Sequence, residues 1–502
     1  MTGLALLGLV MLVVMIGTIF IGFPISFTLL FLALAFGYFC LGEATVFSLA
    51  YFQTIGMMKE ELLAAVPLFI FMGFLTEQAG LMERLFRAFR DLLAPIRGSL
   101  FAVVILTAAV FAMATGIVGA AVTVLGIMAS PIMIKTGYDG RLAAGAITAG
   151  GTLGILIPPS VMLIVMGPVL GVSVAELYAA AFGPGFLLAS LYLVYLLGRA
   201  FFNPKLGPPV PKEERIHGVG TIVMEVLYGV VPLLGLIAAT LGSILAGLAT
   251  PTEASAIGAG GAMILAAAYG KLTYAGVKQA VLSTTATSAM VLLLAVTSNI
   301  FGAVFARMGT ATWITEMMLG LPLPPVAMLI VVIVLIFLLG WPFEWPAIIL
   351  VFLPIFYPVM EALKPTLGAS LGIPTDLVMV WFGALVAVTL QTAFLSPPVA
   401  MSAYYLRQVV KEWSLATIYK GMFEFMILQV IAIAMIIAFP AIVTKFPEEL
   451  RAESAAIKTE EVDDSMNRLE QSPEEMMQQG AEKDEKEGGD ALEKDDLKGK
   501  KK

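Results

Sequence analysis

The chain has 502 residues, of which 59% are hydrophobic and only 13% charged, with a mean hydropathy of +0.95. Soluble domains carry about 45–50% apolar and about 25% charged residues, so a large soluble enzyme is excluded and a bundle of roughly a dozen membrane helices is predicted. The net charge of −7 belongs to the tail: Phe446–Lys502 holds 18 of the 36 acids and 10 of the 29 bases, leaving a nearly neutral body.

In chain order, apolar runs long enough to span lie at 3–20, 25–40 and 62–79, the N-terminal scaffold of 1–80. Leu4–Phe20 lacks a basic flank and runs on into further apolar sequence, so it reads as a retained helix and not a cleaved leader. Residues 81–98 place Arg84, Arg87, Arg90 and Arg97 at helical spacing against Leu85, Phe86, Phe89, Leu92 and Leu93. That pattern predicts an amphipathic arm lying on the inner leaflet. The run 99–134 is either two spans or one re-entrant hairpin, with Ala114-Thr115-Gly116-Ile117-Val118-Gly119 at its middle.

A span at 140–170 follows, interrupted by Gly150-Gly151-Thr152-Leu153-Gly154-Ile155-Leu156-Ile157-Pro158-Pro159-Ser160. Scaffold helices are predicted within 172–308, at 177–202, 219–242, 253–270 and 281–305. Thr250-Pro251-Thr252-Glu253 carries a cap, a first-turn proline and an acid near the positive helix end, which is a helix start. A base-free linker, 309–325, leads to a second ambiguous run, 324–358, with its hairpin at 326–358 and Gly340-Trp341-Pro342-Phe343-Glu344-Trp345-Pro346 at mid-length. The span 377–406 is interrupted at Thr389–Val399, a C-terminal helix occupies 417–443 within 412–445, and the acidic tail 446–502 reads as disordered.

The two ambiguous runs belong to an internal repeat: 99–171 and 326–411 each hold a hairpin followed by an interrupted helix. Charge argues that the halves are inverted. The first hairpin is preceded by four arginines and the second by none, which puts the first entry in the cytoplasm and the second outside. Walking the chain on this basis places every basic cluster inside and both termini outside. Paired Gly/Pro-interrupted segments in matching positions point to a transporter's central site.

The breaks carry the chemistry. A helix opened at mid-membrane presents free carbonyls and two opposed half-dipoles, and Thr152 and Ser160 add hydroxyls suited to a hard cation. A packing kink explains one such motif equally well; two in register favour a site. Glu344, flanked by Trp341 and Trp345, is a carboxylate in an apolar run, either a functional group or an interfacial residue. A single cysteine, Cys40, and a single histidine, His217, exclude an internal disulfide and histidine-based triads or metal clusters. No nucleophile or phosphate-loop motif is present, so a membrane-embedded enzyme is disfavoured and no cofactor or nucleic-acid partner is expected.

In chain order ATGIVGA, GGTLGILIPPS and GLATPTEASAIGA resemble the large membrane subunit of tripartite ATP-independent periplasmic (TRAP) transporters, over residues 3–443. The tip and first break resemble the branch named for mannitol or chloroaromatic compounds, with relatives associated with 2-oxo acids and lactate. The resemblance implies an all-α, inverted-repeat, elevator-type carrier of the ion transporter superfamily in the bacterial inner membrane. It implies sodium-coupled uptake of a small organic acid (2-oxo acid, hydroxy acid or dicarboxylate). Two partners are implied, a periplasmic substrate-binding protein and a small four-helix membrane subunit on a separate chain. By position, one sodium would use Thr115, Gly116, Gly151 and Thr152, and a second Gly340, Glu344, Thr392 and Ser396. Thr152, Pro158, Ser160, Ser396 and Pro397 would meet substrate. The chain departs from many relatives in having Thr115 alone where the first tip is serine-rich, Glu344 in place of Asp, and Pro342 and Pro346 beside it. A stand-alone carrier or ion antiporter of the same superfamily is the alternative.

Overall fold

The apolar runs become helices whose greasy faces have no protein to cover them. In the computed structural model, which describes residues 3–209, 219–397, 400–453 and 455, there is no strand among the described residues, and nine of the helices are long and apolar enough to cross a membrane. Helix α1 (Gly3–Ile21) buries only four of its 19 residues, and side chains such as Val13 (62%) stay open on it. Such exposure is tenable only against lipid or a partner. The described residues through Pro447 form one compact unit. His217 and nearly all of the acidic tail lie outside the described residues.

The first segment comprises α1, α2 (Ile25–Leu41), α3 (Glu43–Met58), α4 (Ala65–Gln78) and the amphipathic arm α5 (Leu81–Leu93). The sequence reading had no helix at 43–58. Helix α3 buries only Val46 and has a weaker apolar signal than its neighbours, which is why it escaped notice. Two arms, α6 (Ser99–Thr115) and α7 (Val118–Lys135), turn back at Gly116-Ile117, and the interrupted helix follows as α8 (Gly140–Thr152) and α9 (Val161–Leu170). Next come α10 (Val174–Phe202), α11 (Val219–Gly229), α12 (Val231–Ile237), α13 (Ser243–Leu245), α14 (Pro251–Ala268) and α15 (Tyr274–Arg307). A wide π-turn at Ala238–Gly242 lies between α12 and α13 within the predicted span, which continues through it as the apolar segment Val223–Leu245. The cap at Thr250 is a full capping box with Glu253, as its sequence implies.

The linker 309–325 contains a short helix, α16 (Thr310–Leu319). The second hairpin is α17 (Pro325–Leu339) and a returning arm made of α18 (Trp345–Ala347), a π-turn at Ile348–Phe352 and α19 (Leu353–Leu371). Its interrupted helix is α20 (Val378–Gln391) and α21 (Met401–Val409), and α22 (Leu415–Ala438) ends the membrane body.

Contacts between distant segments show which ends lie together. Gly98 N–H donates to the Gly207 carbonyl at 2.9 Å, Asp139 N–H to the Leu206 carbonyl at 3.0 Å, and Leu100 N–H to the Tyr138 hydroxyl at 3.3 Å. Both ends of the run 99–134 therefore lie together, as either a re-entrant hairpin or two full spans requires. Elsewhere, the Thr310 hydroxyl donates to the Ala5 carbonyl at 3.2 Å and the Thr252 hydroxyl to the Glu61 carbonyl at 3.1 Å. Each of these pairs joins ends that the charge walk assigns to the same side.

The interrupted helices sit deepest. All 14 residues of α20 are buried, and 11 of the 13 in α8. Broken backbone at membrane depth is tolerated only inside protein or along a cavity, and the fold gives it that shelter. Helix α10 packs on α6, α9 and α20, while α22 packs on α8, α10 and α20. Elsewhere α15 lies against α2, α3 and α4, and α14 against α4, while α4 also packs on α6 and α9.

Candidate functional site

The first break is built by close approach. Cβ positions constructed on Gly150 and Gly151 show what the glycines make room for. At Gly150 the nearest atoms are Ala108 Cβ at 3.2 Å and Ile105 Cδ1 at 3.3 Å, both on α6; at Gly151 it is Val122 Cγ2 of α7 at 2.3 Å. The pair lets both arms of the hairpin close on the helix, a packing role that complements the freeing of carbonyls. The chain then tightens at Leu153–Ile155 and passes through a cis Pro158–Pro159 bond. Ser160 donates to the Ile155 carbonyl at 2.5 Å and opens α9, and its own carbonyl accepts from the Tyr178 hydroxyl at 3.4 Å.

The hairpin tip comes to this break. Gly116 adopts φ +60°, and a Cβ there would lie 3.8 Å from the Pro159 carbonyl oxygen, 3.8 Å from Val161 N and 3.9 Å from the Gly154 carbonyl oxygen. A left-handed turn of this kind favours glycine. The tip at Gly116 thus meets the break at Gly154, Pro159 and Val161, and Gly151 packs on Val122 of the returning arm, while the side chain of Thr115 lies outside the described set. Thr152 is fully buried and donates to the Ala149 carbonyl at 2.8 Å, which leaves its oxygen lone pairs available.

The second break repeats the plan. A Cβ on Gly340 would sit 3.1 Å from Ala393 Cβ, so this tip also closes on its own interrupted helix. Thr392 donates to the Thr389 carbonyl and Ser396 to the Thr392 carbonyl, each at 2.7 Å. Ser396 also lies 3.3 Å from Met426 Sδ of α22. Two residues that the sequence reading passed over flank this break. The Gln391 Oε1 and Ser402 Oγ atoms are buried with no hydrogen-bond partner among the described residues. Gln391 stood inside the quoted motif, but its amide oxygen is a candidate ligand only once its burial is known.

The two repeats exchange contacts. A Cβ on Gly119 of α7 would meet the Tyr405 ring of α21 at 2.9 Å, and Gly126 of α7 lies against Leu406 and Val409 of the same half-helix. Between the tips is a cavity of about 140 Å³ lined by Gly116, Ile117, Glu344, Trp345, Phe394 and Tyr405, with Ile70 of α4 and Thr287 of α15 facing them. Glu344 therefore fronts the first tip as well as its own, a placement its position in the sequence did not suggest. Of the residues expected to meet substrate, Thr152, Pro158 and Ser160 are buried in the first break and Ser396 in the second. Pro397 instead lines a different cavity of about 440 Å³, shared with Arg141, Lys420 and Glu424. No cluster of three or more acids, cysteines or histidines suited to a metal occurs among the described residues.

Comparisons with known proteins agree with this architecture. The sequence profile of the tripartite ATP-independent periplasmic transporter, DctM component, matches residues 12–442. The chain is 28% identical to the sialic acid TRAP transporter large permease protein SiaM of Vibrio cholerae, covering 86% of this chain and 96% of that one. It is 29% identical to the C4-dicarboxylate TRAP transporter large permease protein DctM of Rhodobacter capsulatus, covering 78% and 87%. Identity to the isethionate TRAP transporter permease protein DctMQ of Oleidesulfovibrio alaskensis is 28%, covering 68% of this chain and 51% of that protein. In fold it is similar to the crystal structure of the Alcanivorax borkumensis YdaH transporter, with a TM-score of 0.54 at 16% identity over 81% of this chain and 90% of that one. With paired hairpins closing on paired broken helices and a profile match along nearly the whole membrane body, the chain belongs to the DctM component family of tripartite ATP-independent periplasmic transporters, as a multi-pass membrane transporter subunit and not an enzyme.

Proposed function

We propose that this subunit imports a small organic acid across the bacterial inner membrane, driven by sodium and fed by a periplasmic substrate-binding protein. The observation that carries the reading is the meeting of each tip with its own break, Gly116 at Pro159 and Val161, and Gly340 at Ala393. The carbonyl oxygens of Gly154 and Pro159 stand at the first meeting, and the buried hydroxyls of Thr392 and Ser396 follow in the second break, oxygens of the type a hard cation takes. One ion would sit among Thr115, Gly116, Gly151 and Thr152, and a second among Gly340, Thr392 and Ser396. Glu344, at the same tip as Gly340, would belong to this second group, and it also lines the cavity between the tips. Relatives named for sialic acid, C4-dicarboxylates and isethionate support an acidic substrate.

The moving body in this proposal is both hairpins, both interrupted helices, and α10 and α22 packed on them. The helices α1 to α4, α14 and α15 form the frame, joined by a small membrane subunit on a separate chain. The boundary thus shifts from the sequence-based division, which left α10 and α22 in the scaffold; the packing of α22 on α8 and α20 supports the change. The test is uptake into proteoliposomes holding this chain, the small subunit and the binding protein. Uptake under an inward sodium gradient and none in choline is the expected result. Equal uptake in both media overturns the sodium coupling.

A further inference from the structure

The cavity of about 440 Å³ is walled by Arg141 of α8, Leu395 of the second break, and Lys420, Phe423, Glu424 and Met426 of α22. By the charge walk, α8 and α22 both start on the inner side of the membrane. Helix α22 begins at Leu415, which places Lys420 about 8 Å along its axis, a depth comparable to the headgroup layer of about 5–8 Å. The Lys420 side chain is exposed and has neither a hydrogen bond nor an ion pair to any described residue. Deeper on the same face of α22 stand Phe423, Ile427 and Val430, all of them exposed, at the spacing that keeps side chains on one stripe. A lone ammonium at the head of an apolar stripe in a membrane is costly unless an anion joins it.

The facing wall is short of acceptors as well. Arg141 Nη1 lies 3.0 Å from one oxygen of Glu424, and the other oxygen is taken by the Tyr195 hydroxyl and by Arg199 at 3.5 Å. The single acid of the cavity is thus already shared between two arginines, while the guanidinium of Arg141 carries five donors and has no second acceptor among the described residues. Two bases against one spent acid make the shallow end of the cavity positive. We infer that this cavity is a site for an anionic phospholipid of the inner leaflet, its phosphate between Arg141 and Lys420 and its acyl chains along Phe423, Ile427 and Val430. Charge at the shallow end and carbon at the deep end is the order of a lipid and not of a free anion. The volume equals the share of roughly fifteen waters at about 30 Å³ each, room for a phosphate ester headgroup. Leu395 lines the same space, and Ser396 beside it lies 3.3 Å from Met426 Sδ, so the lipid rests against the second break from the side opposite to transport chemistry and needs neither sodium nor the transported acid.

Phosphatidylglycerol and phosphatidylcholine with the same acyl chains differ only in the headgroup, anionic in the first and zwitterionic in the second. Native mass spectrometry of the purified full-length chain in detergent reads the affinity of the first lipid bound. Wild type should hold phosphatidylglycerol at least about tenfold tighter than phosphatidylcholine. Lys420→Gln should weaken phosphatidylglycerol about fivefold and leave phosphatidylcholine unchanged. Arg87→Gln, on the exposed side of the arm α5 and outside the cavity, should leave both unchanged. Equal binding of the two lipids by wild type overturns the anionic assignment, and this arm needs no variant to fold. Phosphatidylglycerol binding that survives Lys420→Gln, or that is lost with Arg87→Gln instead, places the lipid elsewhere and overturns the site. Displacement of phosphatidylglycerol by millimolar inorganic phosphate makes the cavity a free-anion site and overturns the lipid as its occupant.

Discussion

Arg141 Nη1 lies 3.0 Å from Glu424 Oε1, tying the first turn of α8 to α22. The other Glu424 oxygen accepts from the Tyr195 hydroxyl and sits 3.5 Å from Arg199 Nη1 at the end of α10. One carboxylate thus joins three helices that are far apart in the chain. Its side chain is 18% exposed and its arginines 39% and 37%, so the pairs lie between the surface and buried limits. Glu424→Ala should lower stability by ~1–3 kcal/mol, because two arginines lose a shared partner. Thermal unfolding of the detergent-solubilised protein measures it, and an unchanged midpoint would show that the network holds nothing together.

Thr152→Ala should raise the sodium concentration for half-maximal uptake by about tenfold, the scale set by losing one charge-assisted oxygen contact of ~1.5 kcal/mol. Amount and folding of the protein should change little, since the hydroxyl's present bond is a local one to the Ala149 carbonyl. Wild-type sodium dependence in this variant would remove Thr152 from the ion site.

Gly421 faces the backbone of α8: a Cβ there would stand 2.1 Å from the Arg141 carbonyl oxygen and 2.9 Å from Gly145 N. Backbone cannot move aside as a side chain can, and membrane helices reach such distances only through small residues. Gly421→Ala should destabilise by ~1–3 kcal/mol through overpacking. Unfolding followed by circular dichroism reports it; a neutral result would mean that α8 and α22 are farther apart than described.

The Ser298 hydroxyl of α15 donates to the Leu350 carbonyl in the π-turn of the second hairpin. This contact crosses from the proposed frame to the proposed moving body. With Cys40 replaced, a Ser298→Cys/Leu350→Cys pair that is oxidised should lose transport, and reductant should restore it. Full transport by the cross-linked protein would contradict movement of the hairpin against α15.

Thr250 accepts from Glu253 N–H at 3.2 Å while Glu253 Oε2 accepts from Thr250 N–H at 2.8 Å. Thr250→Ala should cost ~0.5–2 kcal/mol of stability, the usual range for a lost N-cap, with sodium and substrate half-saturation unaffected. A changed half-saturation would assign this motif a role in transport that its geometry does not suggest.

Most of the irregular elements were legible locally. Gly116 marks a turn because only glycine takes its φ comfortably, and Pro158-Pro159 breaks a helix because two successive residues lack N–H donors. The capping box at Thr250 follows from the same kind of near-neighbour rule. Helix α3 was missed because its one buried residue, Val46, leaves no periodic stripe to read. Gln391 was missed because an amide in a polar motif acquires meaning only from burial.

By itself the sequence determined that the chain lives in a membrane, that its halves repeat in opposite orientation, and where its two helices break. Those properties rest on composition, on charge and on the conformational limits of glycine and proline, all of which act within a few residues. Tertiary structure alone decided which broken end meets which hairpin arm. It set Tyr405 on Gly119, joined Gln429 to Tyr192 across 237 residues at 3.0 Å, and turned Glu344 toward the first tip. Such contacts follow from how side-chain volumes fill the space between helices, and no local pattern specifies that.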